Sequence, residues 1–352
     1  MPCDSKATAD PKGRLYYFDN AKFILIFLVV LAHSTSSLKG SSWEDGSAFV
    51  SLLWAVINYF HMPAMIFISG FFAKSFISKS RAIKVQRVAT YAILYLAAQV
   101  CYYMYQKFIL GDIAAKTLMN PRPALWFLQC LVVWHLLLPV LDYFKPGYVM
   151  LACTLIGLFV GYENNAAGFL SISRVFVHLP FFMAGYYVKQ ERVDKLFSRK
   201  YYKWIGLAAF AAVTVICLIW PKTVLETLLT SSTPYARISA LRHVPRLLQW
   251  TARLWFYGVA SSLIIGFLAL VPRGKTVFTA LGRESLSVYI LHIFLYLANR
   301  HFKWYEMFMS PSGIAFLIFI ALAVTVVFSL KPFTIPFHWL QKIRVDKTLK
   351  AE

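Results

Sequence analysis

Acidic residues are scarce in this chain, and so is charge of either sign. Of 352 residues, 15 are Asp or Glu and only 14% are charged, against roughly 25% in an average soluble domain. A water-soluble fold of this length needs more polar surface than that. Cysteine is sparse as well. Cys101, Cys130, Cys153 and Cys217 lie inside apolar stretches and Cys3 in a polar tail, with no Cys-x-x-Cys and no His/Cys cluster. That usage indicates neither a disulfide framework nor a metal site. There is no repeat of fixed period, no low-complexity tract and no soluble basic domain, so nucleic acid is not the expected partner. The small-residue cleavage site of a signal peptide is not evident either.

What the chain has in abundance is apolar length, 59% of it being hydrophobic. Ten stretches approach the roughly 20 residues that a bilayer-spanning helix requires. They run over 21–38, 49–73, 88–110, 124–144, 147–162, 175–188, 204–220, 251–271, 276–298 and 313–330, the fifth and sixth being short. The expected fold is an all-α, polytopic transmembrane bundle of about ten helices with the lipid bilayer as its surroundings. Residues 1–19 form an N-terminal tail, 20–330 a membrane-embedded domain and 331–352 a basic C-terminal tail.

Basic residues, 36 in all, alternate between connections. Lys74, Lys79, Arg81, Lys84 and Arg87 fall in one loop, Lys189 to Lys203 in another, and Lys331 to Lys350 in the tail. Basic loops stay in the cytoplasm, so both termini are expected there. The exception is Arg237, Arg242, Arg246 and Arg253 in an outer connection, a pattern that suits an amphipathic or re-entrant segment, or a plain interfacial helix.

Ionisable groups within spanning helices are costly and usually face a bundle interior or a water-filled cavity. The first helix carries Asp19, Lys22 and His33. Eleven residues is about three helical turns, so Lys22 and His33 share a face, and Asp19 lies on nearly the same stripe. The alternative is a capping carboxylate, a snorkelling lysine and a hydrogen-bonded histidine. In the second helix His61 precedes Pro63, a residue that frees a backbone carbonyl and bends or breaks a helix. Arg122 and Trp126 stand at an outer boundary, where an aromatic belt also explains the tryptophan. Arg174 holds a similar place before His178-Leu179-Pro180. Arg283, Glu284 and His292 share the ninth stretch, and Arg283 and Glu284 form a plausible pair. Lys84 and Arg87, one turn apart, suit a phosphate or simply a cytoplasmic loop. Ser34, though adjacent to His33, points about 100° away and is a poor nucleophile candidate.

Five ordered segments together resemble a known family. They are Tyr16–His33, His61–Gly70, Trp126–Leu128, Arg174 with Leu179–Tyr186, and Leu281–His292. They are similar to the acyltransferase-3 family of membrane O-acyltransferases, and among these to the fucose-4-O-acetylase-like members. The family's first helix carries Arg, ten residues, then His; here Lys22 replaces the arginine, keeping the charge and losing the bidentate fork. Its paired basic motif is matched by Lys84 and Arg87, again with a lysine.

The resemblance implies transfer of an acyl group, usually acetyl, from cytosolic acetyl-CoA or another acyl-CoA to a hydroxyl of a saccharide or glycan on the far side. It implies no tightly bound cofactor and no metal. Asp19 to His33 rises roughly 21 Å, which carries His33 past the middle of a ~30 Å hydrocarbon core. His33 is then the expected general base. Asp19, Lys22, Lys84 and Arg87 are expected to serve the CoA. Arg122, Trp126, Arg174, His61, Glu284 and His292 are expected to serve the acceptor. The expected location is a bacterial plasma membrane. The competing reading is a transporter or flippase for a saccharide or anionic solute, which also uses intramembrane charge and broken helices. The absence of two related halves weighs against it.

The charge alternation makes a direct prediction. Single cysteines at positions 80 and 196 should resist a membrane-impermeant maleimide in intact cells, while one at position 44 should react. Labelling at position 80 would reverse the assigned orientation.

Overall fold

The computed structural model describes residues 15–38, 44–76, 85–111, 121, 124–165, 171–197, 201–219, 231 and 233–343, and among these there is no strand. The helices are α1 (Tyr16–Ser36), α2 (Glu44–Ala73), α3 (Val85–Met104), α4 (Trp126–Leu141), α5 (Pro146–Phe159), α6 (Ile172–Tyr187) and α7 (Gln190–Phe197). There follow α8 (Tyr201–Ile219), α9 (Thr251–Leu270), α10 (Thr279–Gly282), α11 (Ser285–Phe302), α12 (Pro311–Phe328) and α13 (Lys331–Lys342). The described parts of the apolar stretches are largely helical. Five helical segments are long and apolar enough to cross a membrane unaided: Tyr16–Ser36, Ala48–Ala73, Tyr201–Ile219, Arg246–Leu270 and Pro311–Phe328. Backbone polar groups cannot be left open in lipid, and helices satisfy them internally.

Several local expectations are corrected. Pro63 lies inside α2, and the helix runs through it unbroken to Ala73. The ninth stretch is not one helix: α10 ends at Gly282, and α11 begins at Ser285 with Glu284 at its N-cap. Among its described residues, the segment around Arg237, Arg242 and Arg246 forms no amphipathic helix. It is three short 3-10 turns, Tyr235–Arg237, Ser239–Leu241 and Arg246–Leu248, two of them entered from Pro234 and Pro245. A proline has no N–H for a continuing α-helical ladder, which accounts for the interruptions. Arg253 at its end is buried, donating from Nη1 to the Gly157 carbonyl at 3.1 Å and lying over the Tyr235 ring at 5.0 Å.

The chain divides into two compact units. The first comprises residues 1–65, 190–222 and 259–335, and its centre is α1, which packs on α10, α11 and α12. Leu25, Ile26, Val29 and Val30 are buried along it. The contact with α10 is very close, because a Cβ on Gly282 would stand 1.9 Å from the Asp19 carbonyl oxygen.

The second unit comprises 66–189, 223–258 and 336–352. In it α5 packs on α6, α3 on α4, and α4 on α6. Trp134, fully buried, donates its indole N–H to the Val175 carbonyl at 2.9 Å. The end of α2 crosses α6 backbone to backbone. A Cβ on Gly70 would lie 1.9 Å from the Phe182 carbonyl oxygen, and one on Gly185 1.9 Å from that of Phe67. Small residues permit this approach, as they do between membrane helices generally.

Gly185→Ala should therefore force the helices apart and lower stability by about 1–3 kcal/mol, the usual cost of overpacking. Gly258→Ala, where a Cβ meets nothing within 4 Å, should not. Thermal unfolding of both variants in the same detergent tests this, and equal midpoints would refute the crossing.

Candidate active site

The start of α1 is built from side chains that cannot be left alone in an apolar setting. Asp19 is 1% exposed. Lys22 Nζ approaches its Oδ1 at 2.9 Å from one turn along the helix, and Arg283 Nε approaches Oδ2 at 3.3 Å. Arg283 thus pairs with Asp19, where the sequence offered Glu284 as its partner. One carboxylate between two cations is the arrangement that makes burial of a charge tolerable.

Beside it, Asn20 is fully buried and does more than its sequence position suggests. Its amide nitrogen donates to the Pro272 and Gly274 carbonyls, both at 2.9 Å. Its oxygen accepts from the Thr276 hydroxyl at 2.9 Å and the Thr279 hydroxyl at 2.6 Å. Tyr17 donates to the Leu268 carbonyl at 2.5 Å. Side chains of one helical turn therefore hold the whole connection from α9 to α11. Asn20 was missed in the sequence, although an amide placed beside an intramembrane carboxylate was the available signal.

Fourteen residues further on, His33 faces a half-open pocket of about 180 Å³ enclosed by α1, α11, α12 and the turn Trp304–Phe308. Among the described residues no hydrogen bond engages its imidazole. It is held by ring contacts instead, with centroid separations of 5.3 Å to His292 and 5.1 Å to Tyr296. His292 is buried, and its Nδ1 lies 2.8 Å from the Val288 carbonyl. A carbonyl only accepts, so Nδ1 carries the hydrogen. In the neutral ring Nε2 is then a lone-pair acceptor, and this buried nitrogen has no hydrogen-bond partner among the described residues. His61 has the same arrangement one turn back along its own helix, with Nδ1 2.8 Å from the Ile57 carbonyl, and it lies within electrostatic range of His33. Ser34 lines the same pocket, but its hydroxyl donates to the Val30 carbonyl at 2.9 Å, leaving it no better as a nucleophile.

In the second unit the structure brings Trp126 and Arg174 together. The guanidinium lies 5.2 Å from the indole ring, and His178, one turn after Arg174, stacks on that indole at 5.4 Å. His178 Nε2 is 3.1 Å from the Ser231 hydroxyl. The four-residue spacing from Arg174 was the sequence signal for His178. Lys84, Arg122 and the Arg87 side chain lie outside the described residues. Glu284 is at the N-cap of α11, where the Ser287 hydroxyl donates to its carbonyl at 2.7 Å. Among the described residues no group of three His, Cys, Asp or Glu is placed to hold a metal ion.

The latch at Asn20 sets a prediction. Asn20→Ala removes the shared partner of two threonine hydroxyls and two carbonyls in a partly buried site and should cost about 1–2 kcal/mol. A purified variant with an unchanged thermal midpoint would show the latch to be dispensable.

Comparison with family models gives one match, a model described as an acyltransferase domain, over residues 15–330. Neither the curated proteins nor the solved structures give a match.

Proposed function

The chain belongs to this acyltransferase family and is a membrane acyltransferase; we propose that it moves an acyl group from cytosolic acyl-CoA to a hydroxyl of a saccharide or glycan outside, with His33 as general base. The observation that carries this reading is an imidazole that lines a pocket on a polar helix and makes no hydrogen bond among the described residues. An unengaged ring nitrogen is what proton abstraction requires.

In this reading His33 takes the proton of the acceptor hydroxyl as its oxygen attacks the thioester carbonyl. The C–S bond breaks and the C–O bond forms. The proton passes from the imidazolium to the departing CoA thiolate, so the histidine ends as it began. The Nε2 lone pair of His292 suits the task of receiving the other N–H of His33, which would hold the ring with its basic nitrogen toward the substrate. Asp19 and Lys22 shape the entry for the donor, and Lys84 and Arg87 take the CoA phosphates. Trp126 and Arg174 offer the flat ring and fixed cation that suit a sugar. The similarity to fucose-4-O-acetylase-like members makes acetyl the first donor to test.

The test is transfer from labelled acetyl-CoA to a panel of saccharides by the purified protein. His33→Ala should keep its thermal midpoint and its CoA affinity while transfer falls roughly 10²-fold or more. Lys84→Ala with Arg87→Ala should instead raise the KM for acetyl-CoA with little change in kcat. Undiminished transfer by His33→Ala removes it as the base. Saccharide flux without acyl transfer by the wild type would replace the reading with a transporter.

A further inference from the structure

The pocket beside His33 speaks to the chemistry of the donor, and the argument rests on the acyl-transfer reading above. Apart from His33, His292, Ser34, Tyr296 and Asn299, its walls are apolar. Val30 comes from α1, Leu295 from α11, and Leu317, Ile320 and Val324 from successive turns of α12. A saccharide seated against those side chains would leave hydroxyls without partners, which is costly away from water. A hydrocarbon chain would leave none. The space also exceeds what acetyl requires. Apolar cavities of about 150 Å³ stay dry and accept benzene, a guest of six carbons, and this one measures about 180 Å³.

The imidazoles and the aliphatic residues share this one space, so a thioester carbonyl near His33 would direct its chain along α12. We propose that the pocket receives the acyl chain of the donor and that the protein prefers thioesters of about four to six carbons to acetyl-CoA.

The experiment measures equilibrium binding of acetyl-, butyryl-, hexanoyl- and decanoyl-CoA to the purified full-length protein. It is repeated with Ile320→Trp and Val324→Phe, each of which adds bulk to the α12 wall of the pocket, after their thermal midpoints have been checked. Burial of one methylene is worth roughly a fourfold gain in affinity, so hexanoyl-CoA should bind at least tenfold more tightly than acetyl-CoA. Ile320→Trp and Val324→Phe should abolish that advantage. The variants also correct for partition of long chains into detergent, which they do not alter.

Equal affinities along the series, or an advantage that survives in both variants, would overturn the proposal while leaving acyl transfer intact. An unchanged chain preference together with a raised KM for the acceptor would assign the pocket to the acceptor and overturn the proposal. Failure of every CoA thioester to bind would overturn both this proposal and the acyl-transfer reading.

Discussion

Asp19 is a carboxylate that an apolar interior would expel, and it stays because Lys22 and Arg283 hold it from two sides. The rest of the first unit depends on that contact. It ties the start of α1 to the join between α10 and α11, and Asn20 closes the same join from the next position. With α1 and α11 anchored at this point and in contact again at His33 and His292, the two helices run side by side in one direction. The height at which the imidazoles meet follows from where the anchor lies. Gly282 belongs to the same logic, since a side chain there would meet the Asp19 backbone and lift α1 off its partners.

Three imidazoles inside the helices share one device. His61, His135 and His292 each place Nδ1 against the carbonyl four residues earlier in their own helix. That bond turns a ring into a directional acceptor by using the backbone as its fixed partner, with no second side chain needed. Among the described residues His33 makes no such bond, which under the proposed reading suits it to moving a proton rather than to holding position.

Much of this was legible in the chain. The all-helical, apolar architecture could be read because lipid demands apolar length. The stripe Asp19, Lys22 and His33 could be read because charge in such a stretch is rare enough to stand out. Partners across helices could not be read. Nothing in Arg283 says that it reaches Asp19 more than 260 positions away, when Glu284 is its neighbour. Asn20 was hidden because an amide carries no charge to draw notice, and its four contacts exist only once the 272–279 segment is folded over it. An amphipathic or re-entrant segment was expected around Arg237–Arg246, and the turns entered from Pro234 and Pro245 leave no amphipathic helix among its described residues. Arg122, Lys84 and the Arg87 side chain lie outside the described residues, so their assignment still rests on spacing and family likeness.

The crossing of α2 and α6 is made by Gly70 and Gly185 lying against main-chain carbonyls. A joint of this kind contains no rotamers, so forming it freezes almost no side-chain freedom. Its cohesion comes from dispersion between backbones already ordered by their own helices. Warming loosens a packed core through the torsions of its side chains, and here there are few torsions to loosen. The crossing should thus be among the last contacts in its unit to soften, a fixed pivot while neighbouring aromatic layers begin to hop between orientations.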